Sequence, residues 1–307
     1  MPRVSVIIPA YNAAALLGPT LETTLASTFR DFEIVVINDG SRDNTADVAA
    51  GYGPQVRVIS QVNAGMSASR NRGVAESDSE FIALLDSDDI WHPEKLRLQM
   101  AALDARPEHG FSFTEFTSWH GEDCSAWLAA TRDGRIEPSL SGWIYHKMLL
   151  TNWALPSSAL FRRSLWDSLG PFLCADHQTD DWEYFVRASR ESRFVKLAES
   201  MVLYRQHPAS LSRKLPALNN TELMRESLIA RFGLSSPDGN EVDHRELARR
   251  RHAGWCNFAG AHCSRGDVGI GMGAFWHILR QGPHRAASLK RMAKSLARRA
   301  IPNVPQN

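Results

Sequence analysis

Phe81-Ile82-Ala83-Leu84-Leu85-Asp86-Ser87-Asp88-Asp89 is the stretch that decides the fold. Five apolar residues in succession, without polar alternation, describe a strand covered on both faces. Three carboxylates then follow within four positions. Upstream the pattern recurs: Val4–Ile8, Phe32–Ile37 (running into Asp39-Gly40) and Val56–Ile59 also read as buried strands. Helical patterns cover Ala13–Ser27, opened by Asn12, then Asp43–Ala50, Ser67–Ala75 and Pro93–Leu103. This alternation predicts an α/β chain with a doubly wound, mostly parallel sheet and right-handed crossovers. Such sheets bind ligands beyond the carboxyl ends of their strands, which is where the acids cluster.

The expected organisation is a domain over residues 1–214 and a helical C-terminal region over 215–307. The domain divides into a nucleotide-binding half, 1–105, and an acceptor half, 106–214. Residues 110–199 are less regular and contain Trp119, Trp127, Trp143, Trp153, Trp166 and Trp182, each as suited to a core as to a sugar platform. From Leu215 onward the pattern is helical, broken at Pro216, Pro237 and Gly282-Pro283.

A chain of 307 residues with 43% apolar and 22% charged residues has an ordinary globular composition. Its net charge of +1 argues against a protein devoted to nucleic acid. Beyond Asp267, however, no acid occurs, while Arg280, Arg285, Lys290, Arg291, Lys294, Arg298 and Arg299 do. Cys124, Cys174, Cys256 and Cys263 form no CxxC pair, which argues against a zinc site or a disulfide framework. Met1 leads directly into a strand-like run, and no apolar stretch approaches the roughly 20 residues that span a bilayer. The expected location is cytoplasmic, with peripheral contact on the inner membrane face as an option.

Three acidic clusters could carry chemistry. Asp39, after the second strand, could accept from a nucleobase or ribose, although Asp-Gly there also reads as a simple turn. Asp86 and Asp88 form an oxygen-rich pair suited to Mg²⁺ or Mn²⁺ bridging a diphosphate. Three acids behind an apolar strand repel one another unless a cation lies among them. Asp89 reads instead as a cap for the helix that Pro93 helps start. Asp180-Asp181 stands where a helix begins, so capping is its local explanation. Asn63–Gly73 could turn amides and Arg70 toward phosphate or base, but it lacks a P-loop pattern.

Taken together, Ser5-Val6-Ile7-Ile8-Pro9-Ala10-Tyr11-Asn12, Val36-Ile37-Asn38-Asp39-Gly40-Ser41, Asn63–Gly73 and Leu84–Asp89 resemble the family 2 glycosyltransferases of GT-A fold, over roughly residues 3–210. The resemblance implies inverting transfer of one sugar from a nucleotide-diphosphate sugar, usually a UDP-sugar, to a glycan or lipid-linked acceptor. It places Pro9, Ala10 and Tyr11 around the base, Asp39 as the base's acceptor, Arg70 by base and diphosphate, and Asp86 near the ribose or the metal's waters. Asp88 would bind a divalent metal, Mn²⁺ or Mg²⁺. Asp181 would be the catalytic base. Tyr204-Arg205-Gln206-His207 resembles a late segment whose histidine contacts metal or diphosphate.

The processive synthases of this family carry QxxRW and membrane spans, and both are missing here, which favours single-sugar transfer. Gly170-Pro171-Phe172-Leu173-Cys174-Ala175 lacks the acid that often follows the aromatic. Residues Arg285 to Ala300 intersperse basic side chains with Leu289, Met292, Leu296 and Ala300 near helical spacing. They suit either a solvated terminal helix or an anionic membrane surface. The rival functions are a non-catalytic nucleotide-sugar or glycan-binding protein and a sugar-phosphate nucleotidyltransferase. Acids at 86, 88 and 181 count against the first, and the lack of a glycine-rich basic loop in Ala10–Gly18 counts against the second.

Overall fold

The computed structural model describes residues 1–174, 179–208, 210, 213–281 and 290–296. They fall into two compact units: Met1–Pro208 with Ser236–Asn240, and Ala209–Ser235 with Glu241–Asn307.

In the first unit the strands are β1 (Val4–Ala10), β2 (Phe32–Asp39), β3 (Val56–Gln61), β4 (Phe81–Leu84), β5 (Ile90–Trp91), β6 (His109–Trp119), β7 (Leu160–Arg162) and β8 (Arg193–Arg205). They form one sheet in the order β3-β2-β1-β4-β7-β6-β8-β5. The first four in that order are mutually parallel, and so are β6 and β8. β7 joins these two halves antiparallel to both neighbours, and β5 pairs antiparallel with β8. The mostly parallel sheet expected from the apolar runs is therefore present. The helices Ala14–Leu25, Thr45–Ala50, Met66–Ala75 and Lys95–Asp104 each begin within two residues of their expected starts.

Every residue of β1 and β4 is buried, which is why these strands carry uninterrupted apolar runs. Edge strand β3 is mostly half-exposed and shows polar interruptions. Helix Met66–Ala75 lies directly on β1 at Gly73, where a Cβ would come 2.3 Å from Ile7 Cγ2. Any side chain at 73 would lift this helix, and Arg70 with it, off the sheet.

The irregular middle of the sequence contains the two longest strands, β6 and β8. Their pairing shifts register at Thr114/Glu115 and Glu115/Phe116, and Ser112, Thr114 and Lys196 are buried polar residues within it. A bulge puts the alternation out of phase, so no simple period survives. Phe111 and Phe194 stack at 4.2 Å across this pair. Of the six tryptophans, Trp182 is core and donates Nε1–H to the Met148 carbonyl, while Trp153 is 36% exposed.

The second unit is helical: Asn220–Phe232, His244–Arg265 and Val268–Gln281. Asp243 caps the middle helix by accepting from the N–H groups of Arg245 and Glu246. Cys256, Ala259 and Cys263 pack on Ala274, Phe275 and Ile278. Residues 290–296 are helical, with Met292 and Leu296 packed against that same cluster. Arg285, Leu289, Arg298, Arg299 and Ala300, also expected to belong to the basic tail, lie outside the described residues. Among the described residues no helix is long and apolar enough to cross a membrane. Among the described residues no disulfide joins the cysteines.

Candidate functional site

β1, β2 and β4 end along one edge of the sheet. There Ala10 pairs with Asn38, and the Leu85 N–H donates to the Ile7 carbonyl at 3.0 Å. Pro9 and Ala10 are buried, and Tyr11 emerges 49% exposed, a ring open to a stacking partner. Asp39 is buried and already engaged: Oδ1 accepts from Gln61 Nε2 and the Ala64 N–H, each at 2.8 Å, and Oδ2 from the Gly65 N–H at 2.9 Å. A carboxylate offers about four acceptor positions, so one remains for a ligand. Gly40 has φ +71°, and a Cβ there would lie 2.8 Å from the Asn63 backbone nitrogen. Asp39-Gly40 thus serves as a turn and as the clasp that shapes the Asn63–Gly65 loop.

Beyond β4 the chain turns, with the Asp89 N–H bonded to the Asp86 carbonyl at 3.2 Å. The turn is organised by Ser157, 71 residues from Asp86. Its Oγ accepts the Asp86 N–H at 3.0 Å and donates to Asp89 Oδ2, and its carbonyl accepts Trp91 Nε1–H at 2.7 Å. Asp89 also accepts the Arg205 N–H at 3.0 Å. The helix expected to use Asp89 as its cap begins only at Lys95. Asp89 is instead a fully buried anchor between distant segments, and the capping expectation fails because its partners lie 68 and 116 residues away. Burial, with Asp86 and Asp88 alongside, holds its carboxyl well above the usual range.

Arg70 is buried and donates Nη2–H to Asp86 Oδ1 at 2.7 Å. Its Nε is buried with no hydrogen-bond partner among the described residues. Asp88 Oδ2 lies 2.9 Å from His207 Nε2. The two are 119 residues apart and meet because β5 pairs with β8, Ile90 opposite Leu203 and Trp91 opposite Val202. Burial and the charge of Asp86 raise the Asp88 carboxyl, and His207 opposes the rise. Arg205 donates Nε–H to the Asp88 carbonyl at 2.6 Å, and its guanidinium lies 4.3 Å from the Trp119 ring.

Asp180 and Asp181 occupy the first turn of the helix Asp180–Glu191, where their charge suits the helix dipole. Ser67 donates to Asp180 at 3.0 Å, tying this helix to Met66–Ala75. Asp181 is half-buried. Burial raises its carboxyl, Arg70 opposes the shift and Asp86 adds to it, so these three groups act in one electrostatic neighbourhood. The acid-poor stretch before this helix is held by Asn71, which exchanges two hydrogen bonds with the Phe172 backbone. Phe172 in turn stacks on Tyr184 at 4.0 Å. Ala175 lies outside the described residues.

Ser157, Ser67 and Arg205 were not singled out by the sequence. Nothing local marks Ser157 or Ser67, whereas Arg205 belongs to the segment flagged only for His207. Among the described residues no three acidic, histidine or cysteine side chains converge as a ready cation cage. Asp88 and His207, at 2.9 Å, nevertheless bring together an oxygen and an imidazole donor, side chains of the kind that could hold a divalent ion.

The eight-stranded, mostly parallel sheet with its flanking helices has the GT-A fold. It aligns with S. aureus TarS 1-349 in complex with UDP-GlcNAc, at a TM-score of 0.66 and 16% identity, covering 97% of this chain and 88% of that one. It also aligns with the mannosyltransferase PcManGT from Pyrobaculum calidifontis in complex with GDP-Man and Mn²⁺, at 0.59 and 17% identity, covering 99% and 88%. Residues 5–117 match the model of glycosyl transferase family 2. That match assigns residues 5–117 to a glycosyl transferase family 2 domain. Among curated relatives, the uncharacterized glycosyltransferase YibD of Escherichia coli is 40% identical over 94 residues, 30% of this chain and 27% of that protein. The uncharacterized glycosyltransferase EpsJ of Bacillus subtilis is 27% identical over 225 residues, 69% of this chain and 63% of that protein. The chain spans 17% and 32% of the lengths of two Rickettsia relatives it matches.

Proposed function

We propose that this chain transfers a single hexosyl or N-acetylhexosaminyl group from a nucleotide-diphosphate sugar to a hydroxyl of a glycan or lipid-linked acceptor, with inversion. The observation that carries this reading is the meeting of Asp88 and His207 at 2.9 Å beside the Arg70–Asp86 pair. Its supports are the family 2 domain and the similarity in fold to proteins holding UDP-GlcNAc or GDP-Man with Mn²⁺.

In this mechanism Tyr11 stacks on the base, and Asp39 receives a base N–H at its remaining acceptor position. Asp86, steadied by Arg70, faces the ribose, and the unpartnered Nε of Arg70 is a donor for a diphosphate oxygen. Asp88 and His207 would hold a divalent ion, which, when bound, stabilises the charge developing on the departing diphosphate. Asp181 takes the proton of the attacking acceptor hydroxyl, a role favoured by the raised affinity of its carboxyl for a proton. One displacement opposite the leaving group inverts the anomeric centre, and no covalent enzyme intermediate is needed. UDP is the expected nucleotide.

Calorimetric titration with UDP, GDP and dTDP, each with and without Mn²⁺, tests the donor half of the proposal. Mn²⁺-dependent binding of one nucleotide, lost in Asp88→Ala and retained in Asp181→Asn, is the expected result. Failure of folded protein to bind any of the three would remove the donor site. Full transfer by Asp181→Asn would remove the assignment of the base.

A further inference from the structure

Helix Val268–Gln281 directs Ala274, Phe275 and Ile278 into the core of the second unit but leaves Met272 39% and Trp276 59% exposed. These two residues stand four apart, one helical turn, and so share a face. Arg280, four residues further along, is exposed on that face with its guanidinium 5.5 Å from the Trp276 ring. Met292 and Leu296, which a membrane-binding tail would turn outward, pack inward on the same core. Among the described residues of this stretch, the outward large apolar side chains, Met272 and Trp276, therefore lie on the preceding helix.

Charge gives a second, independent indication. Residues 268–307 contain seven Lys and Arg and no Asp or Glu, within a chain of net charge +1. The first 267 residues therefore carry −6 and the last forty +7. Lys290, Arg291 and Lys294 are exposed on the 290–296 helix. An all-cationic end carrying an open tryptophan matches an anionic lipid surface. Indole and thioether side chains enter the boundary between headgroups and acyl chains, while arginine and lysine meet lipid phosphates. The negative remainder of the chain would be repelled from the same surface.

We propose that the Met272–Trp276–Arg280 face docks this protein on anionic membrane. The proposal does not depend on the donor chemistry above. Its test is co-sedimentation of the full chain with phosphatidylcholine vesicles, with and without phosphatidylglycerol. Binding is expected only to the anionic vesicles. The double variant Met272→Ser/Trp276→Ser should need about tenfold more lipid for half-saturation or more, with its UDP and Mn²⁺ titration unchanged. Hydrogen exchange on the unaltered protein provides a second readout, with added protection across 268–281 when anionic vesicles are present. Equal binding by the double variant overturns the assignment of this face. Equal binding to neutral vesicles overturns the role of charge. Absence of vesicle binding, including the case where the chain is retained on an acidic polymer, overturns the lipid partner.

Discussion

Replacing Ser157 with alanine should destabilise the first unit and impair the proposed cation site together. Ser157 and Asp89 are each 0% exposed, so water cannot replace what the hydroxyl supplies. The substitution strands the Asp86 N–H, bonded at 3.0 Å, and one oxygen of Asp89. A buried polar group left unsatisfied costs about 1–3 kcal/mol. Two such groups give about 2–6 kcal/mol, a large share of the roughly 5–15 kcal/mol that typically holds a domain together. Urea unfolding with an unchanged m-value would measure the loss. Because Asp86 and Asp88 flank the released turn, Mn²⁺-dependent nucleotide binding should weaken in the same variant. In a cycle with Asp89→Asn, the two changes should be less than additive, since they remove one shared contact. A Ser157→Ala protein within about 0.5 kcal/mol of the parent, the range of an ordinary surface change, would refute the view that this hydroxyl organises the turn.

Gly73→Ala forces a methyl against Ile7 and should cost about 1–3 kcal/mol by overpacking, while raising the Kd for nucleotide through displacement of Arg70. Lys95 is fully buried, 3.9 Å above the Trp91 ring and bonded to Gln99, and burial holds its ammonium well below the usual lysine range. The unfolded chain therefore binds a proton that the folded one resists, so this site's destabilisation fades as pH rises toward the unfolded value of about 10.4. Lys95→Met should accordingly raise Tm at pH 7 and converge on the parent near pH 10, and a pH-independent difference would contradict the burial argument. The raised carboxyl of Asp181 should place the acid limb of kcat/KM above the ordinary aspartate value of about 3.9. Asp181→Asn should lower kcat by about 100-fold or more while leaving the nucleotide Kd unchanged.

Edge strand β3 showed only its short Val56–Ile59 apolar pattern, whereas β1 and β4 were legible because they are buried on both faces, so an apolar run and a strand coincide. β6 and β8 were not, because they bulge and carry Ser112, Thr114 and Lys196 inside the protein, where a polar residue interrupts any period. At the site, Asp86, Asp88 and Arg70 could be found from local patterns, a strand ending in acids and a small-residue helix start. Asp89 was misread because its spacing before Pro93 suits a cap, while its actual partners come from Ser157 and Arg205. Ser157 has no signature of its own: its importance lies in two hydrogen bonds to residues about 70 positions away.

The two-residue strand β5 has a consequence for how this chain can vary in length. Ile90 opposite Leu203 and Trp91 opposite Val202 set how far Asp88 and His207 project beyond the sheet. Side chains change face with each residue along a strand. Loss of one residue between Leu203 and His207 would therefore turn the imidazole away from Asp88, however conservative the remaining sequence. Natural insertions and deletions should be excluded from 86–92 and 200–207 and admitted in the largely exposed stretch 121–134. Comparing gap positions in close relatives would reveal that constraint without any assay.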